Sequence, residues 1–292
     1  MKKTALLSTF LFASIGIISS GSAEQRIPAM HVTDPPVIDG IAAEKAWERA
    51  REIITHDKVG KLDISLKAVY TENEIFLLVR FPDPDESRNH KSWTWNKSQG
   101  IYSVGHDRED IFVIKWNMLP EPVDLSIYAE NPYQADIWYW KAHRTDRAGY
   151  ADDKLHILSP ANKENAIKIT SKSGKSMYLL RREDDGKSAY KVNLITEFQG
   201  ESLPRFISQD PTGSRSDVQA KGTWDNGTWT IEFRRKLTTG HRDDIQFAPG
   251  NRYLFGVSRY EIAGRGINHR LSDPLYGNGD INETLWLEFA KE

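Results

Sequence analysis

The sequence predicts an all-β chain, an antiparallel β-sandwich of immunoglobulin-like or jelly-roll-like type with short helices in its connections. Three observations predict it. Short runs of alternating apolar and polar residues recur along the chain, turn-forming residues separate them at regular spacing, and few segments keep a 3.6-residue period beyond two turns. A chain of 292 residues is long enough for one large β domain or two ordinary ones. No linker is long enough to split it, so residues 24–292 are expected to form a single sandwich domain.

The elements follow in order. Lys2 and Lys3, the apolar run Ala5 to Ile18 and the small residues Gly21-Ser22-Ala23 read as a cleavable secretory signal ending after Ala23. The run is too short to span a bilayer, and no later segment approaches about 18 consecutive apolar residues. The chain is therefore expected in the periplasm or secreted, with no transmembrane segment after cleavage. In AAEKAWERA, Ala43, Ala46, Trp47 and Ala50 make the apolar stripe of a short helix, with Asp39 at its start. LDISLKAVYTENEIFLLVRF reads as a hairpin turning at Thr71–Glu74, with Ile64, Leu66 and Ala68 alternating on one arm and Ile75, Leu77 and Val79 on the other. Residues 82–109 read as loop and hold Trp93 and Trp95. Strands are expected near 110–118, 123–130, 135–144, 166–171, 176–182 and 189–198. GTWDNGTWTIEFRRKL is a second hairpin with Asn226-Gly227 as its two-residue turn. RYLFGVSRYEI and ETLWLEF close the fold.

Composition excludes several functions. There is no cysteine, so disulfides, thiolate metal sites, a Cys nucleophile and covalent haem attachment are ruled out. Without residues 1–23 the chain has 37 basic and 41 acidic residues, a net charge of −4, which favours neither nucleic acid nor an anionic membrane. No G-x-S-x-G, H-E-x-x-H, P-loop or dinucleotide fingerprint occurs.

The segment 136–153, DIWYWKAHRTDRAGYADD, is the densest in aromatic, cationic and ligand-capable groups. Alternation puts Trp138 and Trp140 on one face and Ile137, Tyr139 and Lys141 on the other. Lys141 and His143 are candidate ligands there. Met118 ends DIFVIKWNM on the face of Phe112, Ile114 and Trp116, either as a core gap-filler or as a soft thioether ligand. His269 lies between Arg265 and Arg270, two cations suited to ligand carboxylates. His106 and His241 sit in acidic turns and read as salt-linked surface residues. Asp152-Asp153 reads as a solvated turn more readily than as a calcium ligand pair, and Glu183–Gly186 as a hairpin tip.

DREDIFVIKWNM (107–118), the 136–153 segment, residues 213–247 and INHRLSDPLY (267–276) together resemble the haem-binding family of the ethylbenzene dehydrogenase γ subunit. The run D-I-W-x-W-K-A-x-R is the most specific match. The resemblance implies a sandwich holding one non-covalent haem b between its sheets and passing single electrons in the periplasm, as an electron carrier or accessory subunit rather than an enzyme. Its implied partner is a redox protein, a molybdenum enzyme or a cytochrome. Met and Lys are the family's axial ligands. Here no Met immediately precedes DIWYWKA, and the late ligand position reads as His269. Met118 and His269 are thus the expected iron ligands, with Lys141 and His143 next. Trp116, Trp138 and Trp140 would line the slot, and Arg144, Arg265 and Arg270 would face the propionates. DPPVIDGIAAEKAWERA also resembles the start of family 9 carbohydrate-binding modules. That supplies a rival expectation, aromatic side chains stacked on sugars. A third is an accessory subunit without haem.

Overall fold

The computed structural model describes residues 25–58, 60–260, 281 and 283–290. In chain order the strands are β1 (Gln25–His31), β2 (Ile53–Asp57), β3 (Leu62–Tyr70), β4 (Glu74–Pro82), β5 (Trp93–Asn96), β6 (Ile101–Val104), β7 (Ile111–Asn117), β8 (Tyr133–Lys141) and β9 (Asp152–Ser159). They continue with β10 (Ile167–Thr170), β11 (Ser176–Glu183), β12 (Tyr190–Val192), β13 (Ser202–Leu203), β14 (Phe206–Ser208), β15 (Gln219–Asp225), β16 (Thr228–Lys236), β17 (Arg252–Tyr260) and β18 (Leu285–Phe289). The one α-helix among the described residues, α1, is Lys45–Arg49.

Two layers face each other. One runs β10-β11-β9-β8-β7-β17-β18 and the other β3-β4-β16-β15, with β2 also on β3. β1 joins them, pairing with β18 on one side and β3 on the other. Both of its pairings are parallel, whereas every other strand pairing is antiparallel, so the expected antiparallel sandwich carries one parallel seam. Alternation decides what lies between the layers. Phe112, Ile114 and Trp116 of β7 and Trp138 and Trp140 of β8 meet Leu77, Val79 and Phe81 of β4 and Trp229, Ile231 and Phe233 of β16 in one core. On the outside, α1 covers β3 and β4 with Ala46, Trp47 and Ala50. Residues 119–132 cover one end of the β7–β8 face, burying Leu125, Ile127 and Ala129 against Ile137 and Tyr133. The other end of that face is left open.

Both expected hairpins form. Thr71 N–H donates to Glu74 O (2.9 Å) between β3 and β4. Asn226 and Gly227 take φ of 47° and 79° between β15 and β16, the left-handed conformations such a turn requires. Three expectations are corrected. Residues 123–130 bury their alternate residues but form no strand, because Asp124, Ser126 and Asn131 side chains bond to the local backbone in place of a ladder. Trp93 and Trp95 lie not in a loop but on β5, in a small sheet with β6 and β13. Asp39 does not cap α1. Its carboxylate accepts from Ile41 N–H (2.8 Å) in a turn before the helix, and Ala43 stays exposed. No described helix is long and apolar enough to cross a membrane.

Candidate functional site

The open end of the outer β7–β8–β9 face forms a cleft of about 280 Å³. Its floor is Tyr139 and Lys141 of β8, Lys154 and His156 of β9, Arg181 and Glu183 of β11, Ile111 of β7 and Tyr260 of β17. Residues 90–91, 108–109 and 144 close it from the loops. The register brings these groups together: Ile111 pairs with Lys141 and Tyr260, His156 with Arg181, and Lys154 with Glu183.

Six of the lining side chains are Lys or Arg and two are Glu. Lys141, 2% exposed, donates its ammonium to Asp152 and lies 3.2 Å from the Tyr190 hydroxyl. Arg215 Nη2 donates to the other Asp152 oxygen at 3.1 Å. Burial alone would raise the Asp152 carboxyl, but Lys141, Lys154 and Arg215 outweigh it and hold it well below the usual carboxylate range. Burial lowers Lys141, offset in part by Asp152. Burial and Asp152 push the Tyr190 hydroxyl up to about 12. Glu109 accepts from the main-chain N–H of His143 (2.7 Å) and Arg144 (2.9 Å) and from the Arg144 guanidinium, which fixes the loop after β8.

Two imidazoles face this recess. His90 is buried, with Nδ1 3.2 Å from Glu109 Oε1 but at an angle that makes no hydrogen bond. Burial first, then Arg144, Lys91, Arg108 and Lys141, keep it far below the ordinary histidine value. His156 is lowered by burial and by Lys115, Arg181 and Lys154. Both are therefore neutral at pH 7, the state in which an imidazole nitrogen can bind a metal. Neutral donors ringed by cations, with Tyr139, Tyr260 and Ile111 as the apolar floor, are the donor chemistry and charge that a haem with two propionates requires.

The expected residues divide. Lys141 and Arg144 line the cleft. His143 sits just outside it, buried, with Nδ1 on Arg88 O (2.8 Å) and Nε2 without a partner among the described residues. Trp116, Trp138 and Trp140 do not line it. Their face of the sheet turns inward, and all three are wholly buried in the central core. Trp116 stacks on Phe255 with centroids 4.6 Å apart. Trp140 donates to Asp146 Oδ1 (2.9 Å), and its ring lies so close over Gly222 that a Cβ there would sit 2.5 Å from Cζ2. Met118 packs against the same core and borders a separate half-open groove of about 530 Å³ with Pro120, Arg252 and Trp286. It lies seven positions along the ladder from the Ile111–Lys141 pair, about 23 Å, so it cannot share an iron with Lys141. Arg265, His269 and Arg270 lie outside the described residues. His90 and His156 were not singled out from sequence. The alternation of Asp152, Lys154 and His156 on one strand face was the available signal for His156.

Fold and cleft define an all-β protein with a cationic, histidine-bearing recess on one outer face. The chain belongs to the ethylbenzene dehydrogenase family, whose model matches residues 25–270. It is 38% identical over 85 residues to a cytochrome c-552 of Stutzerimonas stutzeri, a stretch covering 28% of this chain and 29% of that relative. Among solved structures, two family 9 carbohydrate-binding modules from Caldicellulosiruptor kristjanssonii, in complex with glucose and with cellotriose, are 11% identical with TM-scores of 0.41 and 0.39. The likeness covers 92% of this chain and 98% and 96% of theirs.

Proposed function

We propose that this chain is a periplasmic electron-transfer protein or subunit that holds one haem b non-covalently in the outer cleft. The observation that carries the reading is the pair of neutral imidazoles inside a cationic recess, in a member of this family. His90 or His156 would donate to the iron, with Lys141 as a further donor once released from Asp152. Arg108, Arg144 and Arg181 would face the propionates. Bound haem would supply a one-electron couple, and with no cysteine in the chain it would be held without thioether bonds. The chain's own part is to bind, orient and shield the group, and to hand electrons to a redox partner such as a molybdenum enzyme or a cytochrome.

Protein purified from haem-replete cells is expected to show a Soret band, and His90→Ala or His156→Ala to shift or abolish it. A colourless product that takes up no added hemin would sink the reading. If only Met118→Ala or His269→Ala changes the spectrum, the ligands are the pair expected from sequence and the cleft is not the haem site.

A second reading rests on a separate observation. Trp93, Trp95 and Tyr102 of the small sheet line a half-open trough of about 290 Å³, beside the exposed Phe198. Such aromatic faces stack on sugar rings. Retention on a polysaccharide column, lost in Trp95→Ala, together with no Soret band, would favour it. Recovery of a stoichiometric partner without a chromophore would favour an accessory subunit.

A further inference from the structure

Among the described residues, the inner face of β8 and β9 carries more acids than cations to balance them. Asp136 of β8 and Asp153 of β9 are wholly buried, and Asp244 reaches them, 3% exposed, from the β16–β17 connection. A carboxylate oxygen from each lies within 4.8 Å of the other two. Asp184, also buried, adds a fourth carboxylate to their surroundings. The cation among them is Arg235, which donates to Asp136 Oδ2 and to Ile245 O while its plane lies over Trp138 and Phe247. Asp136 Oδ2 also accepts from Ile245 N–H at 3.0 Å. His241, bonded to Asp217, stands 4.0 Å from Asp244 Oδ2.

Those contacts leave much unsatisfied. Both oxygens of Asp153, both of Asp184, Oδ1 of Asp136 and Oδ2 of Asp244 have no hydrogen-bond partner among the described residues. Buried anions in this state must either take up protons or gather around a cation. The geometry matches the second. Three carboxylate oxygens that converge this closely can all touch one ion, and calcium takes such oxygens at about 2.4 Å. The donors are carboxylate oxygens from three separate chain segments, hard ligands that suit calcium over softer metals.

We propose that Asp136, Asp153 and Asp244 bind a calcium ion, with Asp184 beside it, tying β8 and β9 to the β16–β17 connection inside the sandwich. The site is on the opposite face of the sheet from the cleft and does not depend on haem.

Full-length protein purified without chelator is expected to carry about one calcium per chain by elemental mass spectrometry. After EGTA treatment, calcium at a hundredfold excess over its dissociation constant should raise the unfolding temperature by on the order of 5 °C, followed by far-ultraviolet circular dichroism. Asp153→Asn should fold and lose that rise. If Asp153→Asn does not fold, Asp244→Asn carries the same comparison. A wild-type chain with neither bound metal nor a calcium response overturns the proposal, as does a variant that responds like wild type. An equal rise with magnesium overturns the choice of calcium. Soret absorbance plays no part in these readouts, so this proposal and the haem proposal fail separately.

Discussion

Asp152 and Asp153 are neighbours in sequence and opposites in surroundings. Both are wholly buried on β9, but the pleat sends one outward and the other inward. Asp152 meets Lys141, Lys154 and Arg215 and stays ionised. Asp153 meets Asp136, Asp244 and Asp184, with Arg235 as the cation that opposes them. Burial and those acids push its carboxyl well above the ordinary aspartate value. Burial therefore does not fix the state of a carboxylate; the sign of its neighbours does. The outer face has cations to spare for an anionic ligand, and the inner face has anions to spare for a cation.

Substitution at the outer member should have the largest effect. Asp152→Ala leaves the buried Lys141 ammonium without its carboxylate, Arg215 keeping Glu183 at 2.8 Å, and should cost about 3–5 kcal/mol in urea unfolding. A loss under about 1 kcal/mol would mean that Glu183 and water take over its role.

A pH series on His90 comes next. Its folded value is depressed, so the unfolded chain binds the proton more tightly. Its contribution to stability is present above the unfolded value of about 6.5 and is lost as pH falls below it, by up to about 1.4 kcal/mol per pH unit. His90→Gln should flatten the stability curve between roughly pH 4 and 6.5, the range in which the unfolded imidazole is protonated and the buried one is not. A curve of unchanged slope would show that the ring reaches solvent.

The smallest effect should also have the opposite sign. In metal-free buffer, Asp153→Asn replaces a buried carboxyl crowded by Asp136, Asp244 and Asp184 with a neutral amide and should stabilise the fold by about 1 kcal/mol. Destabilisation under those conditions would mean that the inner acids are paired more fully than their contacts indicate.

Much of the fold was legible in the sequence because alternation and turn chemistry are local. The two hairpins, and the inward face of Trp116, Trp138 and Trp140, follow from period two and from Asn226-Gly227. Residues 123–130 escaped the same logic: alternation records burial, and backbone pairing there is taken by side chains. The site was less legible. Asp152-Asp153 reads as a solvated turn, yet Asp152's partners lie 11 and 63 residues away, and Asp153's lie on β8 and in the connection after β16. Asp184, expected at a hairpin tip, is buried near the same acids. His90 and His156 come from a loop and a strand that only the folded sheet brings to one recess. Trp116, Trp138 and Trp140 lie in the central core and not on the outer cleft, because large apolar faces fill the core first.

The parallel seam has a consequence for how the chain is made. β18, residues 285–289, is inserted between β17 and β1, so the first described strand waits for the last described one. Residues up to 289 must be made before β1 gains that neighbour, and contacts of such sequence separation form slowly. A product stopped before residue 285 would present the open flanks of both β1 and β17, and unpaired strand flanks are where chains stick to one another.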